Sequence, residues 1–115
     1  MKLIARNGVA KNSISVIYVT AASRKEAEKI AEKLVEKKLV ACANIFPPIT
    51  AIYEWQGAMQ KVREYPIILK TPAGMVKKAV AEIKKLHSYD CPCVISWKID
   101  EGNAQFLQWV RKSTS

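Results

Sequence analysis

Residues 14–35 open with Ile14-Ser15-Val16-Ile17-Tyr18-Val19-Thr20, pass through Ala21-Ala22-Ser23, and continue as Arg24-Lys25-Glu26-Ala27-Glu28-Lys29-Ile30-Ala31-Glu32-Lys33-Leu34-Val35. The first seven are mostly β-branched or aromatic, which favours a strand and is too short a run for a helix. Ser23 followed by Glu26 is a capping box, each side chain able to satisfy an otherwise unpaired amide at a helix start. Behind it, Ala27, Ile30, Ala31, Leu34 and Val35 fall at steps of three and four and draw one apolar stripe, which must face a sheet or another helix. The outer face carries Lys25, Lys29, Lys33 and Lys37 beside Glu28, Glu32 and Glu36, opposite charges meeting at three-residue spacing. Such rows are solvated helix surface rather than a docking face. A strand followed by an amphipathic helix is therefore the first unit.

Downstream, Val40-Ala41-Cys42-Ala43-Asn44-Ile45-Phe46 is a second strand, closed by Pro47-Pro48, which cannot donate to a ladder. Ile49 to Trp55 resumes extended character and Val62 to Lys70 returns, with Gly57 to Lys61 as the turn of a long hairpin. Pro66 inside the returning limb predicts an edge or a bulge. Thr71-Pro72 predicts a helix start, and the stripe Val76, Ala79, Val80, Ile83 and Leu86 or His87 carries that helix to about residue 87. After Ser88-Tyr89-Asp90-Cys91-Pro92, residues 93–99 form a last strand. Asn103 caps a final helix with Phe106, Leu107, Val110 and Trp109 inward.

Strand, helix, strand, strand, helix, strand, then one more helix, is an α+β, ferredoxin-like βαββαβ sandwich with an extra C-terminal helix. Two helices cover one face of its antiparallel sheet. The other face and the edges need partners, which the three tryptophans and four tyrosines can anchor, so an oligomer is expected.

The 115 residues suit a single domain, taken as residues 14–115 behind a flexible basic tail at 1–13. Half the residues are hydrophobic and a quarter charged, which supports a real core. No apolar run approaches the roughly 18 residues that cross a bilayer. The short apolar stretch Leu3 to Ala5 is no secretory core, so a cytoplasmic protein without membrane contact is expected. Three cysteines, two of them nearly adjacent, argue against a disulfide scaffold. The net charge of +9 keeps phosphate-bearing partners in view.

Five ordered blocks then resemble the CutA family of divalent-cation tolerance proteins. They are Leu39-Val40-Ala41-Cys42-Ala43-Asn44-Ile45, Ile52-Tyr53-Glu54-Trp55-Gln56-Gly57, Ile68-Leu69-Lys70-Thr71, His87-Ser88-Tyr89 with Pro92, and Glu101-Gly102-Asn103 with Phe106 and Trp109. The resemblance covers about nine tenths of the chain. It implies a homotrimer whose strands continue pairing across subunit boundaries, a part in copper and other divalent-cation tolerance, weak metal binding or signalling, and no enzymatic reaction. The sequence departs from the family at Pro47-Pro48 for Pro-Gly, at Ser88 for the Pro of His-Pro-Tyr, and at Cys93 for an acidic residue. A strand-one cysteine and paired histidines proposed as metal ligands in some bacterial members match Val19 and Leu86-His87 here, so that set is mostly absent.

The chain offers other soft donors. His87, Cys91 and Cys93 form a His-x3-Cys-x-Cys loop whose imidazole and thiols suit copper or zinc. Two readings compete, a metal site on His87, Cys91, Cys93 and Cys42, or ordinary semi-buried cysteines with a helix-end histidine meeting terminal carbonyls. Folding is expected to need no metal. Lys70 and Glu101 are candidates to line an intersubunit cleft. Tyr53, Trp55 and Trp97 read as core or interface residues rather than base-stacking platforms. With one histidine, no phosphate-binding glycine loop and no His-Glu-x-x-His, catalysis is not expected. The alternatives are a trimeric sensor of a small anionic ligand and a ferredoxin-like RNA-binding module, the latter lacking its Lys/Arg-Gly-Phe/Tyr signature, so nucleic acid is an unlikely partner.

Overall fold

The structure is a computed structural model that describes residues 13–115. Of the tail expected over 1–13, only Ser13 lies within the described residues. Its carbonyl accepts the Ala73 N–H at 2.8 Å.

In chain order the elements are β1 (Ile14–Ala21), α1 (Arg24–Glu36), β2 (Cys42–Ile45), β3 (Ile49–Trp55), β4 (Ala58–Pro72), a 3-10 turn (Ala73–Met75), α2 (Val76–Leu86), β5 (Val94–Lys98) and α3 (Ala104–Ser113). The sheet runs β2-β4-β1-β5, all antiparallel, and β3 pairs with the far end of β4. This is the expected ferredoxin-like plan. The fifth strand arises because Pro47-Pro48 splits one limb into β2 and β3. At about 3.3 Å per residue, the 15 residues of β4 span roughly 50 Å and set the 53 Å length of the molecule.

Three local expectations are corrected. The hairpin turn is the two-residue Gln56-Gly57, not residues 57–61, because both positions have positive φ (52° and 83°), the geometry of a type I′ turn that suits twisted strands. Pro66 lies in a central strand, neither edge nor bulge. Its carbonyl accepts from Phe46 N–H, and the return bond to the Phe46 carbonyl is the one a proline cannot make, at the point where β2 gives way to Pro47-Pro48. Thr71-Pro72 ends β4 and does not cap α2, because the Thr71 hydroxyl donates to the Leu39 carbonyl at 2.7 Å.

The core lies on one face of the sheet. Ile17, Val19 and Ala21 of β1 and Ile67 and Leu69 of β4 meet Ile30 and Leu34 of α1 and Ala79 and Ile83 of α2, all buried. Ser23 Oγ accepts the Glu26 N–H at 3.1 Å, as the capping box requires, and Lys37 of the α1 C-cap bonds Glu82 of α2 at 2.7 Å. Val35 leaves the expected stripe and is exposed.

Strand alternation puts Val16, Tyr18, Thr20, Ile68 and Lys70 on the opposite face. There α3 covers only one end, through Val110 against Ile14 and Ala41. Asn103 caps α3 as expected, its side-chain oxygen accepting from Gln105 and Phe106 N–H. Phe106 and Trp109 do not pack inward. They face outward, with ring centroids 5.7 Å apart.

Candidate functional site

The loop after α2 folds back over the open sheet face where pairing along β4 passes from β2 to β3. Three bonds hold it. Glu26 accepts the Ala22 N–H through Oε1 and the Ser88 N–H through Oε2, each at 2.8 Å, so a helix-capping carboxylate also ties down the loop. Burial works against the charge of Glu26, but the hydrogen bonds from Ala22 and Ser88 prevail and keep its carboxyl below its usual pKa. The Tyr89 hydroxyl donates to Glu64 Oε2 at 3.1 Å. His87, buried at the end of α2, lies with Nε2 2.8 Å from the Thr20 carbonyl and accepts the Tyr89 N–H on Nδ1 at 3.0 Å. Because Nδ1 accepts, Nε2 carries the proton and donates, which fixes the neutral tautomer.

Between loop and sheet lies a cleft of about 610 Å³. Its walls include Tyr18 from β1, Tyr53 and Trp55 from β3, and Tyr89 and Cys93 from the loop, with Glu64 of β4 set among them. The charged residues lining it, Glu64 and Asp90, are both acidic. Burial, then the nearby Cys93 and Glu64, push the Tyr18 hydroxyl up from its ordinary value. For Tyr89, burial followed by the hydrogen bond and charge of Glu64 push it up to about 12. Burial and then Glu64 also push the Cys93 thiol up, against a lowering contact from Thr20, which keeps it protonated and a poor nucleophile.

The four residues expected to hold a metal are not gathered at one point. His87 has both ring nitrogens committed, and Cys91 and Cys93 are exposed at the cleft. Cys42 pairs opposite Lys70, while Cys93 sits one residue before the Val94–Val19 pair. Four residues along the strands and three strand spacings across separate them, about 20 Å. Burial, partly opposed by Lys70, pushes the Cys42 thiol up. Among the described residues no group of three His, Cys, Asp or Glu side chains is placed to hold a metal ion, so the donor set does not fit a resident metal centre. Lys70 bonds Asn44 rather than Glu101.

Sequence reasoning passed over Glu64. The signal was its place in the alternating row Glu64, Pro66, Ile68, Lys70, where it is the one acid.

Sheet, cleft and hairpin arm together define a ferredoxin-like α+β protein extended by a β-ribbon. Within that class the family model described as CutA1 divalent ion tolerance protein matches residues 15–113. The chain belongs to this family. It is 37% identical over 108 residues to human "Protein CutA", covering 94% of this chain and 60% of that one. It is 43% identical over 94 residues to the "Divalent-cation tolerance protein CutA" of Archaeoglobus fulgidus, covering 82% and 91%. The solved structure of the A. fulgidus protein superposes with a TM-score of 0.86 at 39% identity, covering 89% and 99%, and its description calls it periplasmic. The divalent ion tolerance protein CutA1 of Ehrlichia chaffeensis gives a TM-score of 0.84 at 39% identity, covering 89% and 95%. This chain thus spans about 60% of the human relative's length. The expected cytoplasmic location is not shared by every relative: the A. fulgidus protein is described as periplasmic and a 37% identical protein of Arabidopsis thaliana as chloroplastic. Among the described residues no helix is long and apolar enough to cross a membrane.

Proposed function

We propose that the chain acts as a homotrimer in tolerance of divalent cations, copper among them, and that it catalyses no reaction. Family membership supports the tolerance role. The observation that carries the assembly is the apolar surface left uncovered: Ile95 and Trp97 on the open sheet face, Trp55 on the same face of the arm, and Ile52 and Met59 on the arm's other face, all exposed. Apolar area of this extent on a small soluble chain marks a protein contact. Cations meet the chain weakly, at the exposed thiols of Cys91 and Cys93, each of which must lose its proton on binding. The acidic lining of the cleft disfavours the anionic-ligand alternative there. An RNA platform needs aromatics on the two central strands, and their open face carries Val16, Tyr18, Thr20, Ile68 and Lys70.

Two measurements test the reading. A solution mass three times the 12.9 kDa of the chain is expected at micromolar concentration, and a monomer there overturns the assembly. Titration of the reduced protein with copper(I), copper(II) and zinc should show binding that weakens at least about tenfold in the Cys91→Ser, Cys93→Ser double variant. Equal affinity in the variant removes the thiols from the mechanism.

A further inference from the structure

Glu64 is a buried carboxylate that no cation of its own chain meets among the described residues. It is 6% exposed, its one hydrogen bond among them comes from the Tyr89 hydroxyl, and no ion pair includes it. Buried charges are ordinarily paired, because an unpaired one forfeits its hydration without compensation. Lys70, the lysine on the same face of β4, lies six residues and about 20 Å along the strand and bonds Asn44. Arg63 is adjacent in sequence and so falls on the opposite face by alternation. Burial first and Glu64 next raise both the Tyr89 hydroxyl and the Cys93 thiol, so the charge of the carboxylate is felt across the cleft.

The far face of the β3–β4 arm presents the converse. The pairs Thr50–Arg63, Ile52–Lys61 and Glu54–Met59 point away from the cleft, and all six residues are exposed. Ile52 and Met59 are large apolar side chains in water, and no ion pair among the described residues includes Lys61 or Arg63. This surface is apolar in the middle and cationic at the root of the arm, with Glu54 as its one acid near the turn. The cleft, walled by Tyr18, Tyr53, Trp55 and Tyr89 around Glu64, is aromatic and anionic.

A ring of three copies closes through a heterologous contact, in which one patch of a chain meets a different patch of the next. The far face of the arm and the cleft are two such patches, distinct in position and complementary in charge. We propose that each subunit's arm lays its far face over the next subunit's cleft, where the partner's Arg63 donates to the Glu64 carboxylate and Ile52 of the partner subunit covers the aromatic walls. This rests on the homotrimer reading and adds which surfaces meet and which charge completes the site. Arg63 is assigned rather than Lys61 because a guanidinium grips a carboxylate with two parallel N–H bonds and loses less hydration than an ammonium, which is why arginine is enriched and lysine depleted at interfaces. Since Arg63 cannot turn to the Glu64 of its own chain, the carboxylate is compensated only in the assembly.

Sedimentation of the full chain tests it, read as the concentration at which half the chains are assembled. Arg63→Glu brings two carboxylates together and should raise that concentration at least about tenfold, as loss of a desolvated charge pair does. Glu64→Lys should do the same, and the Arg63→Glu, Glu64→Lys double variant should recover most of the loss. If Glu64→Lys melts prematurely, Arg63→Ala and Glu64→Gln, the latter keeping an acceptor for Tyr89, close a double-mutant cycle in which the double loses no more than the larger single. Because the pair is desolvated, these losses persist at about 0.15 M salt. Lys61→Ala, an equal change of charge on the same face, should cost severalfold less than Arg63→Ala. A wild-type trimer that Arg63→Glu leaves intact, additive losses in the double variant, or a larger cost from Lys61→Ala each overturns the proposal and leaves the homotrimer standing. A wild-type monomer removes both.

Discussion

Tyr89 carries the clearest titration signature in the molecule. Burial first, then the hydrogen bond and charge of Glu64, move its hydroxyl from the ordinary value of 10 up to about 12. Between those values the unfolded chain releases this proton and the folded chain keeps it, so stability falls as pH rises through that window. A phenolate absorbance titration should resolve a component near pH 12 that disappears in Tyr89→Phe and moves part of the way back toward 10 in Glu64→Gln. An unchanged titration in Tyr89→Phe would assign the late component to another tyrosine. Glu26 acts at the other end of the scale. Its carboxyl is held low, so its contribution is present above its unfolded pKa and is lost as pH falls through the folded one. Glu26→Gln should therefore flatten acid unfolding in that range and speed proteolysis of the loop at residues 88–93, where Ser88 loses its carboxylate partner. The sequence displayed the capping role of Glu26 because Ser23 stands three residues before it. It did not display the bond to Ser88, which joins positions 62 residues apart. Glu64 was hidden for the same reason, since a loop distant in sequence is what buries it.

Elements were legible where their period is local. The strand at residues 14–21 and the helix at 24–36 emerge from alternation, capping and an apolar stripe, with only Val35 misassigned. Misreadings fall where distant groups decide. Thr71 resembles a helix cap until the Leu39 carbonyl, 32 residues away, takes its hydroxyl. Phe106 and Trp109 read as core because helical periodicity marks an apolar face without saying what covers it. The end of α1 carries a testable cost. Lys38 has φ of 61°, and Lys38 and Leu39 N–H bond the Val35 and Leu34 carbonyls in a Schellman motif, whose left-handed position favours glycine. Lys38→Gly relieves that conformation while adding freedom to the unfolded chain, for a net gain of about 0.5–1 kcal/mol in denaturant unfolding. A loss of stability would mean that the lysine side chain contributes more than its backbone costs.

At the scale of the molecule, a sheet covered on one face meets a charge of +9 that opposes self-association. Met59 and Ile52 are 74% and 65% exposed on the arm, and Ile95 is 56% exposed on β5. Strand order and periodicity made the uncovered face legible, but the arm's reach depends on the tight Gln56-Gly57 turn, which extends both strands to their full length. If apolar contact drives assembly, charge repulsion is the term that salt changes. Raising ionic strength from about 0.01 M to about 0.15 M shortens the screening length from about 30 Å to about 8 Å, which weakens repulsion and leaves apolar burial nearly intact. Sedimentation should then show the oligomer tightening with salt. An interface held by ion pairs would loosen instead. Replacing Ile52 and Met59 by lysine removes apolar area and adds charge at the same place, so the double variant should shift toward monomer at low salt and recover only in part at high salt. Unchanged mass under both conditions would exclude the arm from the contact and leave the sheet face beside β5 as the surface to test.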